Sequence, residues 1–404
     1  MERDPLGRSV RPRFRRTARA FIALCSQPPQ NARHRRRDDQ VHVRVAREDR
    51  REGPRPPGEP HEATKTLTKI AVEGGPDGYC FGGTEAANDV AADYLVGENP
   101  LHREPLWNQL FRTQRLNKGT LDTGSLAAID CALYDVAGKA ADMPVYELLG
   151  GGRREVPVYA STMVGDDDPD GLGTVEAYVD FAEELVDRGF PAIKFHSWMP
   201  PYDADPDRVV ELCRAVREAV GPDIDLMLDS HHYYTRTEAK RIGDALGDLD
   251  FRWFEEPMDE YSMSAYEWLS EEVDVPILGP ETAEGKHKTR AEWAKRGVAD
   301  IGRVGVFDVG GITPARKVAA LYESFYMECE PHGDSVPELH HLCSMATPGT
   351  YFEHGLLHPK YDFEAHSRPW LRNYPAPEDG VIEVPDEPGL GYDIDWDLIE
   401  ANRV

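Results

Sequence analysis

Apolar and polar positions follow two different patterns along the chain. Before Gly152, strand-like alternation at Thr66–Glu73 and Tyr79–Gly83 flanks a glycine-containing turn. Segments with helical periodicity follow at Glu85–Leu95, Pro105–Leu116 and Gly124–Ala140. This order predicts a small α+β domain over residues 61–152.

After Gly152, short apolar segments alternate with amphipathic helical ones. The predicted strands are Val156–Ala160, Ala192–Phe195, Ile224–Leu228, Phe251–Phe254, Val275–Leu278, Ile301–Val306, Tyr326–Cys329 and an eighth near Thr350–Phe352. Strand–helix alternation predicts parallel strands, and about 220 residues is the size expected of an eight-stranded barrel. We therefore predict an α/β fold with a modified (β/α) barrel of the TIM type over residues 153–371, rather than a doubly wound sheet. Residues 372–404 are expected to return and pack on the first domain.

The first sixty residues differ in composition from the rest. They contain 16 Arg, no Lys and 8 acidic residues, without sustained periodicity, and they end in a proline-rich segment at Pro54–Pro60. Three interpretations are open: a basic arm for nucleic acid or membrane, a disordered segment, or a mis-started or frame-shifted leader. The abrupt change in composition near His61 favours the third.

The rest of the chain is strongly acidic. The formal net charge is −27, and residues 1–60 contribute +8, so the other residues carry −35. Such a surface repels phosphate backbones and stays hydrated in salt, so we expect no nucleic-acid partner and infer a salt-loving source organism. No apolar segment is long enough to span a bilayer and no secretory signal is evident, which predicts a cytoplasmic protein with no membrane partner. The six cysteines form no C-x-x-C pair, which argues against a zinc site or a disulfide framework.

Ionisable residues cluster where the predicted strands end, and the carboxyl ends of barrel strands form the active-site mouth. Following the second to the seventh strand, they are Lys194, His196, Asp229, Glu255, Glu256, Glu281, Asp308 and His332. Asp229, Glu255 and Glu281 are spaced by 26 residues each, so one strand–helix unit separates neighbours and all three face one point. Converging carboxylates repel one another without a cation, and oxygen ligands suit Mg²⁺ better than zinc. The spacing therefore predicts a magnesium site.

Seven motifs spread over the chain form a specific set. They are A-I-D-C-A-L-Y-D-V-A-G-K…P-V-Y-E-L-L-G-G at Ala128–Gly151, V-P-V-Y-A-S at Val156, F-E-E-P at Phe254, G-P-E-T at Gly279, V-G-G-I-T at Val309, E-P-H-G at Glu330 and P-G-L-G at Pro388. Together they resemble the signature of the mandelate racemase and muconate lactonising enzyme group of the enolase superfamily. The resemblance covers about Thr64 to Val404 and implies a capping domain built from both chain ends over a modified barrel. It also implies that Asp229, Glu255 and Glu281 hold a Mg²⁺ ion that stabilises an enediolate.

The resemblance implies proton-moving side chains on both faces of the substrate, from the second and seventh strands, here Lys194 and His332. The family's K-x-K is K-x-H in this chain, so His196 stands where a lysine base is usual, and Lys194 and His196 both remain candidates for the base. The usual aspartate partner of the histidine falls on Gly305, with Asp308 three residues later. Either Asp308 partners His332 from a shifted position or His332 works without a carboxylate, and we favour the second.

Three further residues are candidates for substrate binding. His231 follows Asp229 by two residues and lies on the same face of the strand, where core packing is the alternative role. Lys118 and Arg115 precede the Ala128 helix and could reach a distal carboxylate or hydroxyl from the capping domain, although most such surface charges are merely solvated.

These residues predict an enzyme that acts on a small-molecule carboxylate. We expect a magnesium-dependent dehydratase that eliminates water from a sugar acid, an aldonate or aldarate, to give a 2-keto-3-deoxy acid. Its acid would be His332 and its base Lys194 or His196. The alternatives are a racemase or epimerase of an α-hydroxy acid, acting by 1,1-proton transfer, and a catalytically impaired sugar-acid-binding homologue. We also expect a homo-oligomer.

Overall fold

The computed structural model describes residues 41–49, 58–117, 119–168, 170–346, 349–366 and 368–403. An antiparallel sheet and three helices come first: β1 (Val41–Asp49), β2 (Gly58–Ile70), β3 (Gly78–Phe81), α1 (Glu85–Leu95), α2 (Arg103–Gln114) and α3 (Thr123–Ala141). The Thr84 side chain accepts a hydrogen bond from Ala87 N–H, and Asp122 accepts one from Ser125 N–H. These N-cap bonds start α1 and α3, because they satisfy backbone donors that a helix leaves free.

Part of the predicted leader is structured. Residues 41–49 form β1, which pairs antiparallel with β2 from Val41 opposite Leu67 to Asp49 opposite Gly58. The structure therefore describes these residues as a strand rather than a disordered segment, and the boundary drawn at residue 60 falls inside β2. Val41, Val43 and Val45 alternate with polar residues, and this strand signal is short within a segment dominated by arginine. The remaining leader residues, 1–40 and 50–57, lie outside the described residues.

Helix α3 joins the capping domain to the barrel. Its side chains are buried on nearly every face, because one face packs on α1 and α2 and another packs against the barrel core. Asp130 of this helix accepts hydrogen bonds from the Thr313 N–H at 2.7 Å and the Thr313 hydroxyl at 2.8 Å. The glycine-rich V-G-G-I-T turn is thereby tied to the capping domain.

The C-terminal residues complete the capping domain, which confirms its construction from both chain ends. Leu67 of β2 shares an apolar cluster with Trp370, Leu371, Ile394 and Ile399. The rings of Phe81 and Trp370 lie 5.2 Å apart, and those of Tyr79 and Trp396 lie 5.4 Å apart.

The remaining strands and helices alternate along the chain, as the sequence predicts. The strands are β4 (Glu155–Thr162), β5 (Ala192–His196), β6 (Asp225–Asp229), β7 (Trp253–Glu255), β8 (Ile277–Gly279), β9 (Ile301–Val304), β10 (Glu328–Pro331), β11 (Phe352–Leu357) and β12 (Val381–Glu383). The helices are α4 (Val145–Leu148), α5 (Val175–Asp187), α6 (Pro206–Val220), α7 (Arg236–Asp248), α8 (Met263–Glu272), α9 (His287–Arg296), α10 (Val306–Val309), α11 (Ile312–Ser324), α12 (Val336–Ser344), α13 (Phe363–His366) and α14 (Trp396–Ala401).

Eight parallel strands form a curled sheet in the order β10-β9-β8-β7-β6-β5-β4-β11, with β12 antiparallel to β4. Side chains join its two ends: Glu330 accepts a hydrogen bond from Thr350 N–H at 2.8 Å, and Glu353 accepts one from Gly333 N–H at 3.0 Å. This confirms a modified barrel rather than an open doubly wound sheet. None of the described helices is both long and apolar enough to cross a lipid bilayer.

Candidate active site

The two-residue period of the strands builds the barrel interior in layers. An apolar layer comes first, formed by Tyr159, Ala192, Met227, Trp253, Leu278, Ile301 and Tyr351. Two residues further along β5, β6, β7 and β9, the same face carries Lys194, Asp229, Glu255 and Arg303. Because successive strand residues point to opposite faces, these charged side chains form the next layer toward the mouth of the barrel.

Lys194 lies at the centre of the charged layer. Its ammonium Nζ is 3.3 Å from Asp229 Oδ2, 3.0 Å from Glu255 Oε2 and 3.1 Å from Glu353 Oε1, and its side chain is 1 % exposed. Burial would lower the pKa of Lys194, but the Glu255 and Glu353 carboxylates outweigh burial and hold the pKa well above its usual range.

Arg303 is a second buried cation, which the sequence analysis missed. Its Nε lies 2.8 Å from Glu255 Oε1 and 3.5 Å from Glu281 Oε2, and one terminal nitrogen lies 3.2 Å from Glu353 Oε2. Glu353, on β11, was missed as well. In both cases the available signal was position, since Arg303 follows the interior residue Ile301 by two, and Glu353 follows Tyr351 by two.

The three predicted metal ligands lie in this layer. Lys194 forms ion pairs with both Asp229 and Glu255. Arg303 forms ion pairs with both Glu255 and Glu281. The structure thus brings the three carboxylates together around two cations. Glu255 Oε1 and Glu281 Oε2 are buried, and their ion-pair contacts with Arg303 Nε, at 2.8 Å and 3.5 Å, are the ones recorded for them among the described residues, with no further hydrogen bond. Burial raises the pKa of Glu281 to about 8. Buried carboxylate oxygens of this kind fit a hard divalent cation, which prefers an all-oxygen donor set.

A loop after β8 holds Glu281 in place. The Glu260 carboxylate accepts hydrogen bonds from the backbone N–H groups of Glu281, Thr282 and Ala283. The buried Arg290 guanidinium donates to the backbone carbonyls of Pro280, Glu281 and Ala283. Side-chain partners on both sides of a candidate ligand fix its direction.

His196, at the end of β5, faces the same carboxylates. Its Nδ1 lies 2.7 Å from the Thr162 carbonyl oxygen, and its Nε2 lies 3.1 Å from Asp229 Oδ2. A carbonyl only accepts hydrogen bonds, so Nδ1 carries a proton and donates it to Thr162. In neutral His196 the lone pair is consequently on Nε2, the atom that faces the carboxylates.

His332, after β10, is paired with Asp308, and the favoured expectation that it works without a carboxylate is wrong. Its Nδ1 lies 2.6 Å from Asp308 Oδ2, and its Nε2 lies 3.4 Å from Glu281 Oε1. A Cβ placed on Gly305 would clash with the Asp308 carboxylate. Asp308 therefore fills the space that a side chain at position 305 would occupy.

The partners of His332 set its charge. Burial would lower the pKa of His332, but the carboxylates of Glu281 and Asp308 outweigh burial and raise the pKa to about 10. The charged imidazolium and its hydrogen bond lower the pKa of Asp308, although burial alone would raise it. The two groups thus form an ion pair at neutral pH.

The three candidate substrate-binding residues differ in position and in their contacts. His231 donates its backbone N–H to Asp229 Oδ1, and its side chain is 44 % exposed at the mouth of the barrel. Arg115 is exposed at the end of α2, where its backbone N–H donates to the Thr113 carbonyl, and no ion pair joins its side chain to the described residues. Lys118 lies outside the described residues.

Known proteins share this architecture. The chain is similar to the D-xylonate dehydratase of Haloferax volcanii, with 30% identity over 361 residues and 84% of each chain covered. It is also similar to the arabinonate dehydratase of Saccharolobus solfataricus, with 29% identity over 350 residues, 83% of this chain and 89% of the relative. Among solved structures, the D-glucarate dehydratase of Agrobacterium tumefaciens complexed with magnesium superposes with a TM-score of 0.86 and 43% identity, covering 91% of this chain and 98% of that one.

Two family models match the two domains. Residues 61–150 match the mandelate racemase / muconate lactonizing enzyme N-terminal domain, and residues 177–398 match the enolase C-terminal domain-like model. The second match covers more than half of the chain, together with β6 to β10 and the carboxylates that they carry. The chain therefore belongs to the mandelate racemase and muconate lactonising enzyme family of the enolase superfamily.

Proposed function

We propose that this chain is a magnesium-dependent dehydratase that converts an aldonate or aldarate to a 2-keto-3-deoxy acid through an enediolate. One observation carries the proposal: His196 on β5 and His332 after β10 flank, from opposite sides, the carboxylates of β6 to β8. An elimination needs a base at one face of the substrate and an acid at the leaving hydroxyl. The relatives named as sugar-acid dehydratases support the same reaction.

Asp229, Glu255 and Glu281 would hold the Mg²⁺. When bound, the ion supplies positive charge that stabilises the enediolate of the substrate carboxylate. Lys194 and Arg303 place further positive charge beside the same oxygens, and both are buried where electrostatic stabilisation is strong.

We assign the base to His196 rather than Lys194. The Lys194 ammonium contacts three carboxylates at 3.0–3.3 Å, so each of its three N–H groups has an acidic partner. To act as a base, Lys194 would first have to give up one of these hydrogen-bonded protons. His196 donates from Nδ1 to Thr162, which leaves the Nε2 lone pair to accept the α-proton. The proton gained on Nε2 is then stabilised by Asp229 Oδ2 at 3.1 Å.

His332 would be the acid. Its Nδ1–H donates a hydrogen bond to Asp308, and its Nε2–H points toward the carboxylate of Glu281. As the α-proton moves to His196 and the C3–O bond breaks, the Nε2 proton of His332 joins the departing hydroxyl to give water. The raised pKa of His332, about 10, keeps this proton in place at neutral pH.

A screen tests the proposal. Protein loaded with Mg²⁺ is incubated with a library of aldonates and aldarates, and 2-keto acid formation is measured with semicarbazide. The His332→Asn variant serves as the control. A substrate that gives keto acid with the wild type, and at least about a hundredfold less with the variant, supports the proposal. If no acid in the library gives keto acid, the proposal fails.

A racemase or epimerase is the second candidate, because histidines on both faces could each exchange a proton with one carbon atom. Reaction in heavy water separates the cases. A racemase incorporates deuterium at C2 with inversion and without loss of water, a dehydratase forms the keto acid, and a non-catalytic binding protein does neither. We also propose that the chain forms a homo-oligomer, works in the cytoplasm and has no membrane partner. Nucleic acid is not proposed as a partner, because the acidic composition repels phosphate backbones.

A further inference from the structure

Strands β6 and β7 continue to pair beyond their regular ends. The Ser230 N–H donates to the Glu255 carbonyl at 3.1 Å, and the His232 N–H donates to the Glu256 carbonyl at 2.8 Å. In this extension His231, His232 and Glu256 adopt φ angles of 48°, 64° and 44°. Left-handed conformations are strained for non-glycine residues and concentrate at ligand-binding sites.

The side chains of these three residues meet at the mouth of the barrel. His232 Nε2 lies 3.1 Å and His231 Nδ1 lies 3.9 Å from Glu256 Oε2, and one potential ligand atom from each residue lies within 4.8 Å of the other two. The two imidazole rings are 5.3 Å apart and inclined at 41°, so both nitrogens can face one point.

Glu256 lacks the cationic partners that its neighbours have. Its side chain is 1 % exposed, its Oε1 accepts no hydrogen bond, and no Lys or Arg of the described chain lies within 4.0 Å of it. Lys194 and Arg303 pair with other carboxylates. His232 Nδ1 is likewise buried and has no hydrogen-bond partner among the residues that the structure describes. A buried carboxyl group is normally neutral, paired or bound to a metal, and here two imidazoles face the carboxyl group while no Lys or Arg of the described chain does.

We propose that His231, His232 and Glu256 form a second divalent-cation site, separate from Asp229, Glu255 and Glu281, that binds Zn²⁺ or Co²⁺ in preference to Mg²⁺. Two imidazole nitrogens and one carboxylate oxygen suit borderline metals, whereas Mg²⁺ requires oxygen ligands. Zinc binds imidazole at about 2.0–2.1 Å, so small side-chain rotations bring the three donors to bonding distance. Three protein ligands leave a fourth position for water or a substrate oxygen.

The site is tested first by diffraction from crystals of the wild-type protein grown with excess Mg²⁺ and soaked in Zn²⁺. An anomalous difference map at the zinc edge locates the ion directly, and it does not depend on the folding of any variant. A peak bonded to His231, His232 and Glu256 is expected. A map with no peak, or with its only peak between Asp229, Glu255 and Glu281, overturns the proposal.

Solution binding provides the second test. Co²⁺ is titrated into wild-type protein saturated with Mg²⁺, and the visible d–d absorption is recorded. We expect one Co²⁺ per chain, with affinity reduced at least about tenfold by His232→Gln and by Glu256→Gln. The His287→Gln variant is a matched control on α9, outside the cluster, and should bind like the wild type. Equal affinity in the wild type, His232→Gln and Glu256→Gln proteins would refute the site.

Discussion

The Asp308 carboxylate lies 2.6 Å from His332 Nδ1 and occupies the space into which a side chain at position 305 would project. The position usual for the acidic partner of this histidine thus holds a glycine, and the partner comes from three residues later. Helix α10 makes this possible, since its turn begins at Gly305 and brings position 308 back over position 305. The buried Glu338 carboxylate fixes the start of the turn by accepting the Val306 N–H at 2.6 Å.

The Asp308→Asn substitution should shift the pH dependence of the reaction. The acid must be protonated, so kcat falls as pH rises through the pKa of His332, about 10 in the wild type. Removing the Asp308 charge removes one of the groups that raise this pKa, so the alkaline limb of kcat should move to lower pH. We also expect kcat to fall by about a hundredfold. Rate profiles against pH for both proteins give the two quantities.

The control for this shift is Glu364→Gln. It breaks a second carboxylate–histidine pair, with His354 at 3.1 Å, on the other side of β11. In the Glu364→Gln variant, the alkaline limb of the profile of kcat against pH should coincide with that of the wild type. An unchanged limb in Asp308→Asn would show that Asp308 neither charges nor orients His332.

The Gly305→Ala substitution should reproduce the Asp308→Asn profile. Gly305 has φ of −105°, which alanine adopts without strain, so the backbone tolerates the change. The added Cβ would displace the Asp308 carboxylate from His332. The double variant Gly305→Asp with Asp308→Gly returns a carboxylate to the usual position and should recover part of the lost activity. Full activity in Gly305→Ala would contradict the steric argument.

The sequence predicted the convergence of the three carboxylates but not the pair of Asp308 and His332, and the reason is local. The 26-residue spacing follows from regular strand–helix units, so it places Asp229, Glu255 and Glu281 without any knowledge of the loops. The strand predicted at Ile301–Val306 ends in the structure at Val304. In a continued strand, residues 305 and 308 would point to opposite faces, whereas in a helical turn they are neighbours. The prediction that His332 has no carboxylate partner was therefore wrong because the predicted strand was two residues too long.

Arg303 and Glu353 were missed for a different reason. Strand interiors are predicted from apolar runs, and Arg303 and Glu353 interrupt such runs with charges whose partners lie on other strands. No local pattern reports a partner fifty residues away. Alternation within each strand would have placed both side chains inside, but their pairing required the three-dimensional closure of the sheet.

Lys194→Met should mainly lower the stability of the protein, whereas His196→Asn should mainly lower its activity. Lys194→Met leaves the Asp229, Glu255 and Glu353 carboxylates without their shared cation, and breaking a buried ion pair costs about 3–5 kcal/mol. Thermal unfolding should show this loss. His196→Asn should keep a Tm near that of the wild type, but slow deuterium exchange at C2 by about a hundredfold or more. Wild-type exchange in His196→Asn would remove it from the role of base.

Magnesium should stabilise the folded chain, and its ligands should be identifiable from stability alone. A ligand that binds only the native state adds RT ln(1 + [L]/Kd), about 2.7 kcal/mol at a hundredfold excess over Kd. For a chain of 404 residues, an unfolding entropy of about 2.1 cal/mol/K per residue means that each kcal/mol raises Tm by about 1 °C. We therefore expect Tm to rise by about 3 °C between excess chelator and a hundredfold excess of Mg²⁺ over Kd. Replacing Asp229 with Asn, or Glu281 with Gln, should abolish the rise.

Glu364→Gln, outside the site, should keep the rise in Tm, which controls for a general effect of salt on the acidic surface. A rise of equal size in all of these proteins would mean that Mg²⁺ acts through charge screening rather than through these ligands.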